Sequence, residues 1–175
     1  FPAANLMMTR GCPGKCNFCN SANTVLRSYS PKFIFDQIKE LYEKYRIRQL
    51  QFYDDTFTIN KHGVFELCRL INESGMKLSF CCNIRGDCFS DKMAAALKSA
   101  GCHQVLIGIE SGSQRMRKIM GKPINEKVYY RAVKVAHHHG LEVRGSFVVG
   151  LIGEDMESMK DSLLLAIKLD LDFFQ

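Results

Sequence analysis

No uncharged apolar run in the sequence approaches the length that crosses a bilayer, and the longest stretches, such as Ser146 to Ile152, read as buried strands. There is no secretory leader pattern: the segment before Cys12 carries Arg10, and its apolar part is too short. There is no block of one charge sign either. The net charge of +6 comes from 24 Lys and Arg dispersed among 18 Asp and Glu, so the basic stripe expected of a nucleic-acid binder is missing. Low-complexity segments and internal repeats are likewise lacking, apart from an alternation of strand and helix. The chain opens on Phe1 rather than Met and stops inside the apolar run Leu171 to Phe174, which reads as one domain, 1–175, excised from a longer protein with its flanking domains absent. Without a secretory signal, the eight cysteines point to a reducing, cytoplasmic setting and to metal or redox chemistry rather than a disulfide framework.

What is present is a repeated βα rhythm. Strands are expected near Asn5 to Thr9, Gln49 to Tyr53, Leu78 to Cys82, Gln104 to Ile109 and Glu142 to Val149, with a sixth at the chain end. Ser30-Pro31 opens a first helix with Ile34, Ile38, Leu41 and Tyr45 on one face, and Ser21 to Ser30 before it reads as loop. Further helices are expected over Val64 to Asn72, after the Ser90-Asp91 cap as far as Gly101, over Glu126 to His139, and over Ser158 to Leu169. Such alternation implies a parallel sheet, as either a doubly wound sheet or a (β/α) barrel. Chemistry-bearing residues cluster where the strands end: three cysteines, Asp54 and Asp55, Asn83 and Arg85, Glu110 and Ser111, then Gly153 and Glu154. The carboxyl edge of a parallel sheet is where such folds carry out chemistry, so these residues are expected to converge.

The central motif is Cys12-Pro13-Gly14-Lys15-Cys16-Asn17-Phe18-Cys19. Three thiolates in one loop suit iron–sulfur or zinc, and Gly11 and Gly14 let the backbone curl. A four-iron cube takes four ligands; three local ones leave an iron open to a small molecule.

Cys-x3-Cys-x2-Cys with an aromatic before the last cysteine, directly after a first strand, resembles the signature of the radical SAM superfamily. The likeness extends along the chain through Asp54-Asp55-Thr56-Phe57, Gly108 to Ser113, Gly145 to Gly150 and Arg27. It implies an α/β fold, a partial (β/α)6 TIM-like barrel with parallel strands, truncated after strand six. It also implies a [4Fe-4S] cluster on Cys12, Cys16 and Cys19, with S-adenosylmethionine (SAM) on the open iron, cleaved reductively to a 5′-deoxyadenosyl radical that abstracts hydrogen from a substrate. The positions matching the cofactor-binding motifs are Phe18, Asp54, Asp55, Glu110, Ser111 and Gly150, and Arg85 and Arg144 join them as candidate partners for the methionyl carboxylate. The implied partners are SAM, an unassigned substrate and a reductant of flavodoxin or ferredoxin type. The Asp-Asp-x-Phe and Gly-Ile-Glu-Ser-Gly-Ser forms most resemble members carrying a cobalamin-binding domain, which implies cobalamin on a domain outside the chain and methylation or rearrangement of carbon. A methylthiotransferase of the same superfamily, or a non-catalytic iron–sulfur or zinc domain, are the alternatives.

Each of these residues also has a plainer reading. Asp54 and Asp55 suit an ordinary strand-end turn, and one of them rather than both is expected at the cofactor. Glu110 suits a ribose, or an ion pair with Arg85 or Arg144. Arg85 and Arg144 suit a carboxylate, or structural ion pairs. Ile152 stands where related sequences carry Pro, so the Gly150–Glu154 turn is expected to be loose and Glu154 structural. Cys68 and Cys102 read as buried cysteines, and Cys81 and Cys82 point to opposite faces of a strand. His137, His138 and His139 end a helix, and as consecutive helical residues they are not expected to share a metal.

Overall fold

The computed structural model describes residues 2–175. Six strands form one parallel sheet: β1 Ala3–Leu6, β2 Gln49–Phe52, β3 Ser79–Ile84, β4 Cys102–Glu110, β5 Glu142–Phe147 and β6 Phe173–Phe174. They stand in sequence order, each paired with the next. Helices α1 Pro31–Lys44, α2 Lys61–Ser74, α3 Asp91–Ser99, α4 Gln114–Ile119, α5 Glu126–His138 and α6 Met156–Lys168 fill the connections. The architecture is a partial (β/α)6 TIM-like barrel, open between β1 and β6.

Local signals in the sequence explain where the helices begin. The Ser30 side chain accepts from the Phe33 N–H with Pro31 in the first turn, and the Ser90 side chain accepts from the Met93 N–H. Asp155 and Ser158 form a reciprocal capping box at the start of α6. On α2, Val64, Leu67, Cys68 and Ile71 are all buried, as their helical spacing requires. On α1 the stripe is shorter than expected: Ile34 and Ile38 are buried, but Tyr45 is the C-cap and is 53% exposed.

Strand alternation sets up the site. In β3 and β4, Phe80, Cys82, Val105, Ile107 and Ile109 face outward under the helices and are buried, while Cys81, Asn83, Leu106 and Gly108 face the barrel interior and are partly accessible. Two elements differ from the sequence reading. The stretch expected as loop contains Arg27–Ser28, which pairs antiparallel with Thr9–Arg10 and closes the base of the cysteine loop. Helix α4 was not anticipated; it is short, and its buried residues include the cation Arg117. Among the described residues, no helix is long and apolar enough to cross a membrane.

Candidate functional site

The cysteine loop leaves β1 through a backbone tie. Asp54, at the end of β2, accepts from the Met8 N–H at 3.1 Å and the Thr9 hydroxyl at 2.7 Å, and also from the Thr9 N–H. Asp54 is 0% exposed, and burial pushes its pKa above the usual carboxylate range, against the lowering effect of those bonds. The two aspartates therefore part company. Asp54 secures the loop, whereas Asp55 lines the cavity above it.

Within the loop, the Thr24 hydroxyl accepts from the Cys12 N–H at 3.0 Å, and the Asn23 N–H donates to the Gly14 carbonyl at 2.7 Å. Gly11 sits at φ +89°, and a Cβ there would lie 2.4 Å from the Val25 carbonyl oxygen, so this turn demands glycine. The far side of the loop docks on the turn after α4. Asn17 donates from its backbone to the Met120 carbonyl at 3.0 Å and from its side chain to the Ile119 carbonyl at 2.6 Å.

That turn delivers a residue that sequence reasoning missed. Lys122, 7% exposed, donates to Glu110 Oε1 and to the Gly108 carbonyl, both at 2.7 Å. Glu110 thus has an ion-pair partner, but it is Lys122 and neither Arg85 nor Arg144. Arg117, 1% exposed, positions the pair: it donates to the Ser111, Gly112 and Ile124 carbonyls at 2.7–2.9 Å, joining the turn after Glu110 to the turn after Lys122. The only advance signal for Lys122 was a lone lysine in a Gly-Lys-Pro turn, next to a strand whose acidic end needed a cation.

A single cavity gathers Cys12, Cys16, Phe18 and Cys19 from the loop with Asp55 and Thr56 from the end of β2. Asn83 and Ile84 come from the end of β3 and Arg85 follows it, Leu106, Gly108 and Glu110 come from β4, and Lys122 and Ser146 complete it. Asn83 belongs to β3 itself rather than to its exit, and its amide donates to the Asp54 carbonyl at 3.0 Å. Arg85 pairs with Asp87 at 2.8 Å, and that bond holds the Asp87 carboxyl below its usual range. Burial raises the Cys16 thiol, while the Lys122 and Arg85 cations pull it down.

Other expected residues lie outside this cavity. The Ser111 hydroxyl is buried at 3.2 Å from the Ser162 hydroxyl, beneath the turn. Arg144 shares the inward phase of Ser146 two residues earlier; its guanidinium stacks 5.5 Å from the Phe173 ring, and its Nε is buried without a partner. Arg27 sits in the exposed ladder beside Arg10. Gly150 is exposed at φ +89° and donates to the Glu154 carboxylate, so the turn expected to be loose closes on itself.

Residues 6–166 match the description of the Radical SAM superfamily. The chain belongs to that superfamily. An uncharacterized methyltransferase of Pyrococcus horikoshii is 36% identical over 177 residues, covering 99% of this chain and 39% of the relative. The cytidylyl-2-hydroxyethylphosphonate methyltransferase of Streptomyces wedmorensis is 28% identical over 167 residues, covering 90% of this chain and 31% of that protein. The chain therefore spans well under half of either relative. The radical SAM methyltransferase TsrM from Kitasatospora setae, solved with cobalamin and a [4Fe-4S] cluster, superposes with a TM-score of 0.88 at 17% identity, covering 98% of this chain and 33% of that one. At that identity the likeness shows the radical SAM fold alone.

The superfamily implies a [4Fe-4S] cluster and SAM, and the donor set fits them. All three thiols are free and border the cavity. Among the described residues the only trio of ligand atoms within 4.8 Å of one another lies elsewhere, so the three sulfurs are spread wider than a single-ion zinc site. The cavity, about 190 Å³, is also far larger than one coordinated ion fills.

Proposed function

We propose that this domain holds a [4Fe-4S] cluster on Cys12, Cys16 and Cys19, binds SAM beside it, and is the catalytic core of a cobalamin-dependent radical SAM methyltransferase. The observation that carries this reading is the meeting of three separated thiols with a buried Lys122–Glu110 pair at the carboxyl edge of the sheet. When bound, the cluster and SAM supply one-electron reduction and cleavage of the sulfonium bond. The chain's own residues bind, orient and shield. Arg85 and Lys122 bring positive charge to a loop whose ligands are thiolates. Glu110 keeps one oxygen on Lys122 and has its other oxygen for ribose hydroxyls. Asp55 and the Asn83 amide oxygen offer acceptors to the methionyl ammonium, and Phe18 and Leu106 supply apolar wall. The cobalamin assignment leans on the methyltransferase relatives and on the TsrM fold, and places that cofactor on sequence outside this chain.

The test is anaerobic reconstitution of the full-length protein with iron and sulfide, then reductant and SAM. The expected products are 5′-deoxyadenosine or S-adenosylhomocysteine, both lost in Cys16→Ala. Equal product from the variant ends the catalytic assignment. Turnover that is unchanged when cobalamin is withheld overturns the cobalamin part alone, and a methylthiolated product in its place identifies the methylthiotransferase alternative.

A further inference from the structure

The end of α5 and the start of α3 bring together three ligand-type side chains that the site above does not use. Helix α5 ends at His138, and His139 follows as its C-cap at φ −92° and ψ 8°. The His138 and His139 rings lie 5.0 Å apart at 82°. His139 Nε2 lies 2.8 Å from Asp91 Oδ1. One ligand atom each from Asp91, His138 and His139 falls within 4.8 Å of the other two, and no other His, Cys, Asp or Glu trio among the described residues achieves this.

A simple ion pair between His139 and Asp91 would account for two of the three, yet it leaves His138 without a reason to be there. No side-chain hydrogen bond engages His138 among the described residues, whereas His137, its neighbour in the run, is drawn away to Asp172 at 2.9 Å. Asp91 and His138 are exposed and His139 is half-buried, so an ion reaches the trio without opening the core. We propose that Asp91, His138 and His139 form a binding site for a divalent ion of zinc type, with water completing the shell. Two imidazoles and one carboxylate are the borderline-soft donor set that such ions favour over magnesium or calcium. The ion would staple α3 to α5, and by mass action it would stabilise the folded domain in proportion to its occupancy.

The cluster cysteines would compete for zinc, so the test uses cluster-loaded protein under anaerobic conditions, with isotope-labelled histidine and zinc as the probe. The imidazole resonances of His138 and His139 should shift together and saturate at a single equivalent while those of His62 and His103 stay in place. His138→Ala should weaken zinc binding at least about tenfold, the lower end of what loss of even a supporting group costs a metal site. Asp91→Asn should weaken it in the same direction. Parallel shifts of His62 and His103, or unaltered zinc affinity in His138→Ala, would overturn the assignment.

Discussion

The two faces of the sheet are made from the same strands, and they are built on opposite rules. On the helix-covered face, Phe80 and Cys82 of β3, Val105, Ile107 and Ile109 of β4 and Val143 of β5 are each at most 1% exposed and wholly apolar. On the inward face, one residue along each time, stand Asn83, Leu106, Gly108 and Ser146, which are partly accessible and chemically mixed. A period of two thus sorts each strand into a structural and a chemical set without separating them in sequence. Stability and chemistry should therefore come apart under mutation of adjacent residues.

A large effect should come from the covered face. Phe80 packs edge-on against Phe52 at 5.4 Å between ring centroids, and Phe80→Ala should cost about 3–5 kcal/mol. The measurement is the denaturant midpoint at unchanged slope. A cost below about 1 kcal/mol would mean that the outer layer is not close-packed, and the contrast between faces would fail. The aspartates sharpen the same contrast at one step of sequence. Asp54→Ala strips the acceptor from the Met8 and Thr9 N–H groups, at about 1–3 kcal/mol for each buried donor left bare. Asp55→Asn, at the cavity wall, should stay within about 0.5 kcal/mol of the parent while SAM affinity falls. Equal stability losses would erase the division of labour between them.

Much of this was legible in the sequence, and the reasons are local. Ser30, Ser90, Gly101 and Gly140 mark helix ends through bonds or backbone angles spanning a few residues. Cys12, Cys16 and Cys19 stand out by their spacing, and all three border the cavity. What escaped depends on residues distant in sequence. The Thr9–Arg10 ladder needs a partner eighteen positions on, in a stretch without apolar alternation. Lys122 gains meaning only from Glu110, and Arg117 only from the two turns it joins. The expected sites at Ser111 and Arg144 failed to reach the cavity for a related reason: motif position places a residue near a strand end, but depth along the barrel and the packing of α6 decide what it meets.

The most discriminating test falls on the Lys122–Glu110 pair, because it belongs to both sets at once. Lys122→Met leaves the Glu110 carboxylate buried and unpaired beside the thiols, which should cost about 3–5 kcal/mol, the range for removing one partner of a buried pair. Adding Glu110→Gln removes the stranded charge, and the double variant should recover most of that loss, since the larger part of it is the unpaired buried charge. Restored stability should not restore SAM cleavage if the two groups also hold cofactor. If the double variant regains both, the pair is only a brace for the turn after α4, and the inward face would hold fewer cofactor contacts than its polarity suggests.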